Sequence, residues 1–369
     1  MAHGIDGIES ELAAQRDLLL SREPPYARAL ELLTEAVRGE FGARLAATWE
    51  HRSFNAFYER PLLLLAALRY DALHEGASHP LHTAFTGSAP KADGVSPETL
   101  ASATAPDRRR FYDALRDRAV QTNETTRAVT WLWPLRLLAE AGERRPVALV
   151  DMGSSAGLNL IADELPAPWT DGNGLPLAIA PRPPVSLRLG FDISPLDVRN
   201  DDAATWLRAC VWPSDTWRLE RLEQGITRFR ASAARADGPR LEACALPDAP
   251  ARVAVLPPDV LVVCMQTIVR DYLTAADRER YERGMHAALP ERPPLSTLWV
   301  ELELHPGGGS FERAAAIIVR FVDPSGADRE LLLAHTHPHP KQVFPYEEAT
   351  AELAAAFGSN ATGETREPS

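Results

Sequence analysis

Cysteine is scarce: the chain has only Cys210, Cys244 and Cys264 among its 369 residues. An odd number at such wide spacing suits neither a zinc knuckle nor a disulfide framework, and fits a reducing cytoplasm. Positive charge is in deficit as well, with 39 Lys and Arg against 51 Asp and Glu and a formal net charge of −12. Unless its basic residues gather on one face, such a chain repels a phosphate backbone, so nucleic acid is not the expected partner. Long apolar runs are missing too. The N-terminal stretch MAHGIDGIESELAAQRD has no apolar core of signal length, and the run Leu62 to Leu68 is too short to span a bilayer. Neither export nor membrane association is expected. No internal repeat is visible.

What the chain does have is 45% hydrophobic residues, enough for one large or two ordinary domains. From about residue 8 to 145 the apolar positions recur at helical spacing, as in Leu12, Leu18 and Leu19, or Ala29, Leu32, Leu33 and Val37. Residues 1–145 therefore read as an all-helical region. A loop rich in Pro, Gly and Ser, from Gly76 to about Pro106, interrupts it and suggests a lid on the acceptor side. At Pro146 the pattern changes. Val147 to Asp151 is a short apolar run, followed by a Gly/Ser turn and a segment of helical spacing, Leu158 to Asp163. Further strand-like runs are Val185 to Phe191, Val260 to Met265, Leu298 to Leu304, Ala316 to Val322 and Glu330 to Ala334. Helical segments, Asp201 to Ala209, Trp217 to Ala236 and Ala275 to Ala288, fall among them. Alternation of this kind predicts a mostly parallel sheet. The last two runs are joined by Asp323-Pro-Ser-Gly326, too short for a crossover, which predicts an antiparallel hairpin at one sheet edge. The expected fold class is thus α/β: a doubly wound, mostly parallel, methyltransferase-like Rossmann domain over 146–345. A C-terminal helix and frayed tail over 346–369 complete the chain.

The segment Asp151-Met-Gly153-Ser154-Ser155-Ala156-Gly157 stands where a strand hands over to a helix, with small residues that let a backbone approach a ligand. Its pattern is D-x-G-x-x-x-G, with Ser155 where an all-glycine version has its middle glycine; a residue forced to positive φ there is strained. The same letters spell G-x-S-x-G, a nucleophile-elbow pattern with Ser155 as nucleophile, and Asp259 or Asp271 and then His305 or His335 follow in triad order. A third reading is an ordinary turn that binds nothing. Downstream, Asp192 in Leu187-Arg-Leu-Gly190-Phe-Asp192-Ile-Ser-Pro195 is placed to accept hydrogen bonds from ribose hydroxyls, or else to cap its own turn. Gln266 ends the strand after that, at the edge that faces ligands in such sheets.

Asn123, Glu124 and Arg127 form a polar knot, either an internal network or the acceptor-side group of the site, with Glu124 the candidate base. His335, His337 and His339 are spaced by two but lack a companion carboxylate or cysteine cluster, so no metal is expected. The tryptophans Trp131, Trp133, Trp206, Trp212 and Trp217 read as packing residues.

Four stretches together resemble a known family: Gln121-Thr-Asn123-Glu124-Thr-Thr-Arg127, Gly153-Ser-Ser-Ala-Gly157-Leu-Asn159-Leu, Arg188-Leu-Gly-Phe-Asp192-Ile-Ser-Pro195-Leu-Asp197 and Trp206-Leu-Arg-Ala-Cys-Val-Trp212-Pro213. They are similar to the domain-of-unknown-function 2332 family over about residues 15 to 345. The resemblance implies a methyltransferase-like Rossmann fold behind a helical N-terminal region and implies no particular reaction. Two departures stand out: Asp151 replaces the family's usual Glu, and Leu241-Glu-Ala-Cys244 stands where a Gly-Asp pair is usual, so that an adenine-side carboxylate is either absent or supplied by Glu242.

The expectation is an S-adenosylmethionine-dependent methyltransferase with a small-molecule acceptor. Asp151, Gly153, Ser154, Ser155, Ala156, Gly157, Asn159, Asp192 and Gln266 are its expected cofactor contacts. A nucleotide- or metabolite-binding protein without turnover, and a serine hydrolase built on Ser155, are the alternatives.

Overall fold

A computed structural model of the chain describes residues 2–87 and 92–358. They divide into two compact units, one taking the chain up to Thr122 together with Asp197–Glu223, the other taking Asn123–Leu196 together with the chain from Gln224 onward.

The first unit is helical, apart from a two-residue strand pair, Ala2–His3 against Ser53–Phe54. Its central helix, Glu59–Glu75, buries Leu63, Leu64, Leu65, Ala66, Ala67 and Leu68 in one unbroken run, so it is covered on all sides. Arg60 on this helix is buried, and Glu11 holds it through two hydrogen bonds of 2.8 and 2.6 Å. The region expected as a loop from Gly76 to Pro106 carries the helices His82–Thr86 and Pro97–Ala103 in its described part. Pro97 stands at the start of a helix, where its missing N–H costs nothing, and Ser96 closes a capping box with Thr99. The prolines there initiate structure as well as interrupt it.

The second unit is mixed α/β around a nine-stranded, mostly parallel sheet. Its longer strands are β1 (Val147–Met152), β2 (Val185–Asp192), β3 (Arg240–Ala243), β4 (Leu261–Thr267), β5 (Thr297–Leu304), β6 (Ala315–Val322), β7 (Asp328–Thr336) and β8 (Gln342–Pro345). Their spatial order is β3-β2-β1-β4-β5-β6-β7-β8, with Thr170–Asp171 outermost. From β3 to β5 all pairings are parallel, and β6 is antiparallel to both β5 and β7. β1 and β4 are buried along their whole length, as continuous apolar runs in the middle of a parallel sheet should be.

The β6–β7 hairpin turns at Asp323 to Gly326, where Gly326 adopts φ 84. It is not the sheet edge that the sequence suggested. β8 pairs antiparallel to β7, and Thr170–Asp171, from the Pro-rich insertion after β1, pairs parallel to β8. The segment from Leu158 is a 3-10 helix, Leu158–Glu164, and the C-terminal helix is Glu347–Gly358. The expected tail lies, beyond Gly358, outside the described residues.

Among the described residues no helix is long and apolar enough to cross a membrane.

Candidate functional site

The chain runs from β1 outward to β2 and β3, then returns to place β4 on the other side of β1. In an open parallel sheet such a reversal opens a crevice beyond the carboxyl ends of the two strands, because their connections leave in opposite directions. The turn 153–157 lies at that point.

Hydrogen bonds tie the turn to β2. Gly153 and Ser154 donate their N–H groups to the Phe191 carbonyl at 2.8 and 3.1 Å, Ser155 donates its own to Asp192 Oδ2 at 2.8 Å, and Gly157 donates to the Ser154 carbonyl at 2.7 Å. Gly153, Ser155 and Gly157 have φ of 80, 53 and 70. Ser155 therefore adopts the left-handed conformation that its sequence position made suspect, at a cost of roughly 1 kcal/mol or more relative to Gly. The Asn123 amide donates to its hydroxyl. At Gly153 a Cβ would lie 2.5 Å from Val269 Cγ1, so only glycine lets the loop after β4 close on the turn. Gly190 serves on the other side: a Cβ there would come within 2.6 Å of both Ser154 Oγ and Leu241 Cδ2.

Asp192 is partly exposed, and each of its carboxylate oxygens accepts a backbone N–H, Oδ2 from Ser155 and Oδ1 from Ser194 at 2.9 Å. It caps its own turn, as one sequence reading had it, while lone pairs remain on both oxygens for a further donor. Asp151 is 2% exposed, and its Oδ2 has no hydrogen-bond partner. Burial, reinforced by the nearby Asp192 charge and opposed by Arg127, pushes its carboxyl up to about 8. Ser154 Oγ, Asn123 Oδ1 and Asn159 Oδ1 are likewise buried without a partner. Ala156 is fully buried and contributes packing.

Asn123, Glu124 and Arg127 belong to this same unit. Glu124 accepts from the Thr126 N–H and hydroxyl at 3.1 and 2.9 Å, capping the short 3-10 helix Thr125–Ala128. Its Oε2 lies 3.5 Å from His339 Nδ1, and Arg127 Nε donates to the Pro338 carbonyl at 3.0 Å. The knot thus holds the segment after β7.

Gln266 is placed differently from the expectation. It is fully buried; its Oε1 accepts from Tyr281 Oη at 2.7 Å and Trp299 Nε1 at 2.9 Å, and its Nε2 donates to Glu303 Oε1 at 3.0 Å. This amide serves the core. The sequence did not flag what lies beyond it: Ile268 is left-handed, with φ 51, and the Val269 N–H donates to Glu303 Oε1 at 3.1 Å. A β-branched residue in that conformation costs roughly 1–2 kcal/mol, comparable to the about 1.5–3 kcal/mol of a hydrogen bond to a charged acceptor.

Most of the residues in triad order have other partners or places. Ser155 Oγ is bonded to Asn123, Asp259 precedes β4 at the opposite end of the sheet, and His305 Nδ1, just after β5, meets His335 Nε2, near the end of β7, at 3.1 Å. Among the described residues one grouping has the spacing for a metal: Asp71, Glu75 and His79 in the first unit. There His79 Nδ1 accepts the Leu81 N–H at 3.1 Å, which puts the ring proton on Nε2, facing Asp71 Oδ2 at 3.4 Å. Arg108 and Arg110 approach the same carboxylate at 3.7 and 3.3 Å, so the group reads as an ion-pair cluster.

Residues 20–344 match the family described as "Uncharacterized protein conserved in bacteria (DUF2332)". The chain belongs to that family. The match takes in β1 to β7, the turn, the 123–127 knot and most of the helical unit. Comparison with curated proteins gives no match.

Proposed function

We propose that the second unit is a doubly wound, methyltransferase-like Rossmann domain that binds S-adenosylmethionine at the turn 153–157 and transfers its methyl group to a small-molecule acceptor. The observation that carries this reading is the position of the turn, at the carboxyl end of β1 where the order β3-β2-β1-β4-β5 reverses. The fold departs from an all-parallel arrangement only from β6 onward.

The donor set fits such a ligand. The unpartnered buried amide oxygens of Asn123 and Asn159 call for hydrogen-bond donors, which ribose hydroxyls and an ammonium group provide, while the Ser154 hydroxyl and the protonated Asp151 can accept or donate. Asp192 would hold the ribose hydroxyls with its remaining lone pairs. Ile193 beside it, 81% exposed, offers an apolar face to the base. When bound, S-adenosylmethionine supplies an electrophilic methyl on a sulfonium. The chain's part is to orient the acceptor and take its proton, for which Glu124 and the neighbouring His339 are the groups at hand.

Binding without turnover is the second reading. It is favoured by the altered glycine turn, with Ser155 left-handed at its middle, and by Leu241-Glu-Ala-Cys244 in place of a Gly-Asp pair.

Calorimetric titration with S-adenosylmethionine and its demethylated product, on the wild type and Asp192→Asn, tests the proposal. The variant keeps one acceptor for the turn but loses the charge, so affinity should fall about ten-fold or more, the value of a hydrogen bond to a charged group. A wild type that binds neither nucleoside would sink it. Binding of both, with no methyl transfer across an acceptor screen, would favour the second reading.

A further inference from the structure

We propose that Glu303 is a positioning residue for the turn 153–157: it clamps the strained Ile268–Val269 peptide against Gly153, so that order in the turn, and ligand binding there, is coupled to the charge on Glu303. The coupling to a ligand rests on the reading given above; the coupling to the turn does not.

Each link is a contact. Glu303 Oε1 accepts the Val269 N–H, the Val269 side chain fills the space beside Gly153, and Gly153 and its neighbours carry the hydrogen bonds to Phe191 and Asp192. The orientation of Gln266 is settled by the two donors on its Oε1, Tyr281 and Trp299, so its Nε2 must point at Glu303 and hold that carboxylate in place. Ile268 stays left-handed only while something over-determines it, and the bond from the next residue to Glu303 does so. The Ile268 N–H, bonded to the Leu302 carbonyl at 2.9 Å, and the Val269 carbonyl, which accepts from Tyr272 at 3.1 Å, hold the segment on either side; loss of the bond to Glu303 lets the peptide between them turn and Val269 withdraw from the glycine.

The groups facing Glu303 are few. Gln266 comes from β4, and Arg270 from the loop after it, paired to Glu301 at 2.9 Å and to Glu282 at 2.9 Å. Tyr281 reaches it through Gln266, Glu301 lies two residues back on β5, and the register partner on β6 is Ala316. Burial outweighs the Val269, Arg270 and Gln266 contributions and raises the Glu303 carboxyl to about 7. The clamp would therefore change strength near neutrality. A protonated carboxyl is the weaker acceptor, so the clamped form belongs to the higher pH.

The test follows the Val269 amide by NMR in valine-labelled protein across pH 6 to 8.5, in the wild type and in Glu303→Gln, with hydrogen exchange at the Ser154 and Ser155 amides. The wild-type Val269 shift should inflect near pH 7, and the variant should show no such inflection. At pH 8 the protection factors of the turn amides in the variant should be roughly ten-fold lower than in the wild type, matching those of the wild type at low pH. Val269→Ala, followed at the residue 269 amide in alanine-labelled protein, should keep the inflection but uncouple the turn amides from it. A flat wild-type titration, or one unchanged in Glu303→Gln, overturns the proposal, and so does equal exchange in the turn. S-adenosylmethionine titrations at pH 6 and 8 complete it: weaker wild-type binding at pH 6, levelled in Glu303→Gln, extends the coupling to the ligand. Absence of binding at either pH would count against the nucleotide reading and leave the amide results to decide the role of Glu303.

Discussion

Replacing Asp151 by Asn should change how stability depends on pH. The carboxyl is 2% exposed and is raised from its ordinary 3.8 to about 8. Between those values the folded protein keeps a proton that the unfolded chain has released, so raising the pH through this window favours unfolding. One proton gives a slope of about 1.4 kcal/mol per pH unit, or about 6 kcal/mol across the whole window as an upper bound. Asn has the same shape and cannot ionise. The unfolding free energy of Asp151→Asn minus that of the wild type should therefore grow by about 1.4 kcal/mol per unit from pH 5 to 8 and then level off. Chemical denaturation followed by tryptophan fluorescence at successive pH values measures it, and titration of Glu303, common to both proteins, cancels in the difference. Parallel curves for the two proteins would refute the reasoning, since they would mean that Asp151 is ionised in the fold at no cost.

Two further substitutions test the packing. Ser155→Ala removes the acceptor of the Asn123 amide and keeps the left-handed backbone, for a loss of about 1–2 kcal/mol, whereas Ser155→Gly relieves the backbone and should be about 1 kcal/mol more stable than the Ala variant. A Gly variant no more stable than Ala would show that the turn is unstrained. In the helical unit, Glu11→Ala leaves the Arg60 charge buried with only the Gly4 and Asp6 carbonyls at 2.9 and 2.8 Å, and should cost about 3–5 kcal/mol in thermal or chemical unfolding. A loss below about 1 kcal/mol would mean that water reaches Arg60.

What the sequence disclosed was whatever local pattern dictates. β1, β2, β4 and the β6–β7 pair are apolar runs bounded by turn residues, and the glycine turn sits where a strand pattern gives way to a helical one. What it concealed depends on distant partners. β8 is four residues long and Thr170–Asp171 is two, too short to carry a periodicity; β8 is a strand only because β7 is already there to pair with, and Thr170–Asp171 only because β8 is. Gln266 stands at a strand end that suits a ligand contact, but Tyr281, Trp299 and Glu303 take its amide, and nothing near Gln266 in the chain announces them. A left-handed Ile268 has no sequence signal at all, since β-branched residues avoid that conformation and only the surrounding bonds impose it.

The same comparison sorts the expected contact residues by what the protein already asks of them. Gln266 is wholly engaged inside the core, and Asp192 is engaged once on each oxygen. Asp151, Ser154, Asn123 and Asn159 each retain a buried oxygen without a partner. The amide oxygens of Asn123 and Asn159 only accept, whereas the Ser154 hydroxyl and the protonated Asp151 can also donate, and Arg127 acts on Asp151 against the charge of Asp192. A ligand that presents phosphates to the turn would meet the Asn123 and Asn159 amide oxygens and the Asp192 carboxylate there in place of the amides and lysine that phosphate sites use. One that carries hydroxyls, an ammonium and a sulfonium would meet its complement. That complementarity supports the methyl-donor reading proposed above, beside the position of the turn at the strand reversal that carries it.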